Sequence, residues 1–229
     1  MAGYERPFAQ QGACNICGSA DFTYGGLTRA PGVPPPQCVE CRSVERHRLI
    51  RSLYGPLRPL AREWRAFQFA PDRSVDPGWF LSYDSSIYEQ ENSVDMMNTG
   101  FADGSYDIVI SNHVLEHVSD DFMAMRETLR IVGENGVVHI CIPSPIYRWE
   151  TRDWGFADPA QNFHYRDYGA DFPNRILRGV PGGHCIAAIG ADPVVGATDI
   201  VYFLSRSAET LRGIGHQFQR NAIPICRFW

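Results

Sequence analysis

The chain has 229 residues, 44% of them apolar, enough for one good core and a small appendage. Its net charge of −5 argues against nonspecific binding of nucleic acid or an anionic membrane by the whole molecule. No apolar run is long enough to predict a membrane-spanning helix, and the opening MAGYERPFAQQGAC has no apolar stretch that predicts a secretory signal.

Residues 1–13 carry no pattern and read as a loose arm. Cys14-Asn15-Ile16-Cys17 and Cys38-Val39-Glu40-Cys41 follow, separated by residues 18–37. Two residues between cysteines let one tight turn aim both sulfurs at a single ion, and two such turns complete a tetrahedron. Cys14, Cys17, Cys38 and Cys41 are therefore the expected ligands of a four-thiolate zinc site. Gly18 permits the turn after the first pair. The intervening segment, with Gly25, Gly26, Pro31, Pro34, Pro35 and Pro36, has no core of its own and needs the metal to be ordered. Seven cysteines, an odd number with four so paired, suit metal ligation in a reducing cytoplasm better than disulfides. Stapling this extension to the main domain is the preferred role; recognition of a substrate or partner is the alternative.

Residues 42–54 predict a helix with Leu49, Ile50, Leu53 and Tyr54 inward. Arg42, Arg46, Arg48 and Arg51 read as a solvated basic cluster on its other faces, with a phosphate- or carboxylate-binding patch as the lesser reading. A first strand is expected at 65–69, followed by the turn Ala70-Pro71-Asp72, and a second at 79–83 ending at Asp84. Tyr106-Asp107 lead into the buried strand Ile108-Val109-Ile110. The polar loop 111–118 carries His113, Glu116 and His117. Ser119 or Asp120 can N-cap a helix whose apolar face is Phe122, Met125, Leu129 and Val132. Gly133 and Asn135-Gly136 stop it, and residues 137–142 give a β-branched strand that Pro143 ends. Strand, helix, strand predicts a parallel βαβ unit, with ligands beyond the carboxyl ends of its strands. The loop 112–117 leaves one of those ends.

Residues 144–168 hold Tyr147, Trp149, Trp154, Phe156, Phe163, His164, Tyr165 and Tyr168 with few aliphatics. So long an aromatic loop predicts a lid over the strand ends, walling an acceptor pocket against water; an aromatic mini-core over the sheet edge is the alternative. A short helix at 171–177, strands at 184–189 and 200–204 and a helix at 207–216 follow, and the final RNAIPICRFW carries no signal.

The ordered run Phe101-Ala102-Asp103-Gly104-Ser105-Tyr106-Asp107-Ile108-Val109, then HVLEHV from His113 to Val118, Asp120-Asp121, Gly133 to Gly136 and Pro143 resembles the second half of a class I S-adenosylmethionine-dependent methyltransferase domain. Cys41-Arg42-Ser43-Val44-Glu45-Arg46-His47-Arg48, the turn Ala70-Pro71-Asp72 and His164-Tyr165-Arg166-Asp167-Tyr168-Gly169 are similar to segments of a bacterial subgroup that joins a zinc ribbon to this domain. The resemblance implies an α/β fold: a Rossmann-like, mostly parallel seven-stranded sheet with helices on both faces, plus a small N-terminal zinc ribbon. Arm and ribbon would occupy 1–43 and the methyltransferase-like domain 44–229, with the lid at about 144–170.

The resemblance further implies S-adenosylmethionine as cofactor, beside structural zinc. Phe69, Ala70 and Pro71 stand where the family has a glycine-rich turn against the methionine part. Asp84 would chelate the ribose hydroxyls or simply form a turn. Asp95 and Met96, at the expected third strand end 93–96, would meet the adenine, a helix cap or turn being the alternative for Asp95. Asn112 and His113 would face the methionine portion and the methyl group. His113 and His164 are the candidate general bases, Arg166 a candidate for an anionic acceptor, and Asp72 one for the cofactor ammonium. His117 with Glu116 reads as ordering its own loop. The implied activity is methyl transfer to an O or N nucleophile of a small-molecule or glycan-type acceptor in the cytoplasm, with no membrane partner. The missing glycines suggest a second reading, a zinc-ribbon interaction protein that no longer methylates. A nucleic-acid methyltransferase guided by its ribbon is the third, weakened by the acidity of the chain.

Overall fold

A computed structural model describes residues 12–25, 36–143 and 145–229. Most of the predicted arm, the ribbon tip with Gly26, Pro31, Pro34 and Pro35, and Ser144 lie outside the described residues. Two compact units are distinguished.

The first unit comprises the chain through Gly55 together with Asp72–Asp76 and Gly190–Asp199. Its strands β1 (Phe22–Thr23) and β2 (Gln37–Cys38) pair antiparallel. Helix α1 (Glu45–Ala61) starts three residues later than the periodicity predicts, because Arg42 takes a left-handed φ of 60° to close the second cysteine turn. The Val44 amide, an orphan donor at the helix start, donates to His47 Nδ1 at 3.1 Å. The helix then runs past Tyr54 through Pro56 and Pro59, its apolar stripe continuing in Leu57 and Ala61.

Leu49, Ile50, Leu53 and Tyr54 are buried as expected, but Arg48 does not belong to a solvated cluster. It is fully buried, with Nε and Nη2 donating to the two carboxylate oxygens of Asp192 at 2.7 and 2.9 Å and Nη1 donating to the Ser43 carbonyl at 2.9 Å. The opposing carboxylate comes from 144 residues away in sequence, which no helical period reveals. Beside this pair Leu49 and Leu53 pack on Gly190, where a Cβ would come within 2.6 Å of Leu49.

The second unit holds β3 (Arg65–Phe69), β4 (Ser82–Ser86), β5 (Ile108–Asn112), α2 (Asp121–Val132), β6 (Val137–Cys141), β7 (Arg152–Asp158), β8 (His164–Asp167), α3 (Phe172–Gly179), most of β9 (His184–Ala191) and β10 (Thr198–Ser205), α4 (Ala208–Arg220) and β11 (Ile225–Phe228). Seven strands form one Rossmann-like sheet in the order β11-β9-β10-β6-β5-β3-β4. β4, β3, β5 and β6 are parallel neighbours, while β10 runs antiparallel to β6 and β11 antiparallel to β9. β5 and β6 are buried at every residue, which is why they read as continuous apolar runs rather than alternating ones. Helix α2 starts on Asp120, whose side chain accepts from the Met123 amide at 2.8 Å, and buries Met125, Leu129 and Val132 in the core.

Four expectations are corrected. The second strand starts three residues late, because Pro77-Gly78-Trp79 winds into a 3-10 turn, and Trp79 lies under the Arg58 guanidinium at 4.5 Å. Residues 93–96 form no strand; Asp95 Oδ1 accepts from the Met97 amide at 2.8 Å and holds a tight turn, leaving only a bridge between Asp95 and Asn98. The seventh strand is β11, in the terminal stretch that carried no signal. The aromatic segment is a hairpin of β7 and β8 rather than a loop, turned at Asn162 and Phe163, both at positive φ. Among the described residues no helix is long and apolar enough to cross a membrane.

Two outcomes follow from the packing. Arg48→Ala leaves Asp192 buried without its cation and is expected to cost about 3–5 kcal/mol, read as a lowered urea midpoint. Glu127 accepts from Arg130 at 2.8 Å and from the Thr99 amide and hydroxyl at 2.8 and 2.7 Å. Those bonds, the Arg130 one first, hold its carboxyl down at about 2 against an ordinary 4.5. A depressed carboxylate stabilises the fold above its unfolded value and loses that contribution as pH falls from about 4.5 through about 2. Glu127→Gln is therefore expected to flatten the acid side of the stability–pH curve in that window, measured by denaturant titration at successive pH values.

Candidate functional site

The four expected thiol ligands converge. Cys14 and Cys41 sulfurs are 3.6 Å apart, Cys17 and Cys38 sulfurs 3.5 Å, and all four lie within 4.8 Å of one another. A tetrahedral zinc with bonds of about 2.3 Å needs sulfurs roughly 3.8 Å apart, so the donor set fits. The backbone explains the convergence, because the two turns are copies. Gly18 N donates to the Cys14 carbonyl and Arg42 N to the Cys38 carbonyl, at 2.7 and 3.0 Å; Cys14 N and Cys38 N in turn donate to the Ser19 and Ser43 carbonyls, at 2.8 and 2.9 Å. Gly18 and Arg42 both sit at positive φ just after a cysteine pair.

The second site lies where the parallel strands end. β3 runs out at Phe69 and β5 at Asn112, side by side in the sheet. The residue after each is left-handed without being glycine: Ala70 at φ 46° and His113 at φ 55°. Such backbone costs about 1–3 kcal/mol per residue and persists where neighbours fix it. Here the Ala70 amide donates to the Ser86 carbonyl and the His113 amide to the Cys141 carbonyl, both at 2.8 Å. The glycine-free turn thus keeps the conformation a glycine would supply, with a small exposed side chain at its tip.

Along this edge the expected cofactor residues part company. Ala70 is exposed, Pro71 and His113 are partly exposed and Asn112 is buried. Phe69 and Met96 are buried in the apolar core. Asp84 is exposed in the middle of β4, two residues short of its carboxyl end, and accepts from the Tyr106 hydroxyl at 3.3 Å. Burial first, and then the Asp84 charge, push the Tyr106 phenol up to about 12. The residue just past the end of β4 is Ile87, exposed and without charge, so no carboxylate stands at that strand terminus. Asp95 is exposed in its turn, and Asp72 is drawn into a turn of the first unit, accepting from the Ser74 amide at 2.8 Å. A depression of about 360 Å³ lined by Trp64, Asn135, Ser207 and Thr210 lies at the opposite, amino ends of β3 and β6.

Both candidate bases fall into one cluster with two residues that sequence reading set aside. His113 Nδ1 is 3.4 Å from Glu116 Oε1, and its Nε2 is 3.9 Å from the Cys141 sulfur. The His117 and His164 rings meet edge to face at 4.7 Å, and His164 Nδ1 is 3.6 Å from Asp167 Oδ1. Desolvation lowers the His117 imidazole below its ordinary value; Glu116 opposes this, and the neighbouring histidines add to it. Glu116 and His117 were readable as a pair, but His164 reaches them only through the β7–β8 hairpin. Arg166 is not open to an acceptor. It is 2% exposed and donates to the Val118 and Ser119 carbonyls, each at 2.7 Å, and to Asp153 at 2.9 Å.

Residues 84–140 match the methyltransferase domain family, a span from β4 through β6 that includes the loop of His113, Glu116 and His117. No curated protein matches the chain in sequence. Among solved structures, a SAM-dependent methyltransferase of Thermotoga maritima, described as a possible histamine N-methyltransferase, is 13% identical with a TM-score of 0.42, over 69% of this chain and 89% of that one. The 1,6-didemethyltoxoflavin-N1-methyltransferase of Burkholderia thailandensis is 14% identical with a TM-score of 0.47, over 69% and 76%. The trans-methyltransferase CalH is 13% identical with a TM-score of 0.42, over 69% of this chain and 56% of that one. Similarity this distant carries nothing about chemistry; the methyltransferase-domain match itself is confined to residues 84–140, from within β4 to β6, and includes the loop after β5.

Proposed function

We propose that this chain is an S-adenosylmethionine-dependent methyltransferase acting on an O or N nucleophile of a small-molecule or glycan-type acceptor, with Cys14, Cys17, Cys38 and Cys41 holding a structural zinc. The observation that carries the reading is the family match over residues 84–140, which include β5 and the left-handed His113 that follows it. The sulfonium methyl is already activated, so the chain has mainly to align donor and acceptor. In this reading Ala70, Pro71 and Asn112 receive the methionine end, while Asp84 reaches the ribose from within β4. Asp95, exposed in its turn, is the candidate for the adenine amino group, whereas Met96 is buried in the core and offers it no surface. His113, oriented by Glu116, takes the proton that the acceptor's O or N gives up. The exposed Tyr147, Trp149, Phe156 and Phe163 offer apolar surface to an acceptor.

One observation favours a second reading. Ile87 stands past the end of β4 where a ribose-binding carboxylate would be best placed, as expected of a methyltransferase-like ribbon protein that has lost its cofactor. Calorimetric titration with S-adenosylhomocysteine separates the two. The methyltransferase reading expects saturable binding at one site per chain, weakened roughly tenfold or more by Asp84→Asn, the worth of a charged hydrogen bond. Absence of any binding heat would favour the interaction protein.

A further inference from the structure

We propose that Glu116, His117 and His164 form a second metal site, separate from the cysteine ribbon, for a divalent transition ion of the zinc type. One ligand atom from each of the three lies within 4.8 Å of the others. Bonds of about 2.0–2.2 Å would draw them together by roughly an ångström, within the reach of side-chain rotation. The independent sign is Glu116. It is 1% exposed, and neither of its carboxylate oxygens makes a hydrogen bond; the His113 imidazole Nδ1 stands 3.4 Å from Oε1. A buried carboxylate without donors is costly, and a cation between it and the two imidazoles removes that cost.

The surroundings are those of a built site. Asp167 faces His164 Nδ1 at 3.6 Å, the carboxylate that commonly orients a ligating imidazole and leaves its Nε2 for the ion. The other Asp167 oxygen is held by Arg148 at 2.8 Å. Arg166 fixes the two halves to each other, because it sits on β8 beside His164 and donates to both carbonyls that follow the Glu116–His117 turn. Two imidazoles and one carboxylate select zinc, cobalt or nickel over the all-oxygen preference of magnesium or calcium. Three protein ligands leave a position open, and His117 is exposed, so water or an acceptor oxygen can complete the shell. His164 is then a ligand, and His113 remains as base. The site stands whether or not the chain binds a methyl donor, since none of its ligands is assigned to that donor.

Titration of the full chain as purified with cobalt(II) tests this. The expected result is one saturable equivalent with weak visible bands and no thiolate charge-transfer band. His117→Ala, at an exposed position, and His164→Gln each weaken that binding at least tenfold while the circular dichroism stays unchanged. No saturable binding, binding seen only through a thiolate band, or full retention in both variants would overturn the proposal.

Discussion

A buried guanidinium fixes the strand-end loop on which the candidate site depends. The carbonyls of Val118 and Ser119 close the turn after Glu116 and His117, and a turn end needs donors. Arg166 supplies them at 2.7 Å each and spends its Nε on Asp153. Asp121, buried in the first turn of α2, accepts two bonds from Arg175 at 3.0 and 3.1 Å and one from the Tyr168 hydroxyl at 3.1 Å. Burial first, then the Asp121 charge, hold the Tyr168 phenol far above its ordinary value, so it stays a donor. Loop, α2, α3 and the β7–β8 hairpin are thus pinned by one network. Such networks specify a single arrangement when fully satisfied and fail badly when one member is lost.

The left-handed strand ends are held by more local bonds. A non-glycine residue at positive φ survives only where its surroundings leave no alternative, and both Ala70 and His113 are tied through their amides to the strand beside them. Sequence alone makes the absence of glycines look like the loss of a close-approach turn. The backbone shows the turn retained at an energetic cost. At His113 the same conformation sets the imidazole beside Glu116 rather than out in solvent.

Elements with strong local signals were legible in the sequence: the twin cysteine turns, the β5–α2–β6 unit, the Asp120 cap. What failed was long-range. Arg48 looked solvated because a helical period shows faces and not the Asp192 carboxylate opposite one of them. Arg166 looked like an anion receptor because its carbonyl partners lie 47 and 48 residues away. The second strand slipped because apolar Trp79 and Phe80 resemble a strand, while Pro77-Gly78 forces a turn and the true β4 is the polar SYDSS. β11 was invisible because an edge strand needs little apolar content when it pairs on one side only.

The slip at β4 bears on chemistry as well as topology. Moving the strand by three residues takes Asp84 from its end to its middle and puts Ile87 past the end. The acidic groups near the edge are then concentrated elsewhere, in Glu116 beneath three histidines. The edge thus has no carboxylate just past β4, while two strands along it the loop after β5 buries one whose oxygens make no hydrogen bond. A divalent cation there would give this edge a Lewis acid close to the loop where methyl transfer is proposed, so that an acceptor oxygen bound to it becomes easier to deprotonate before His113 acts.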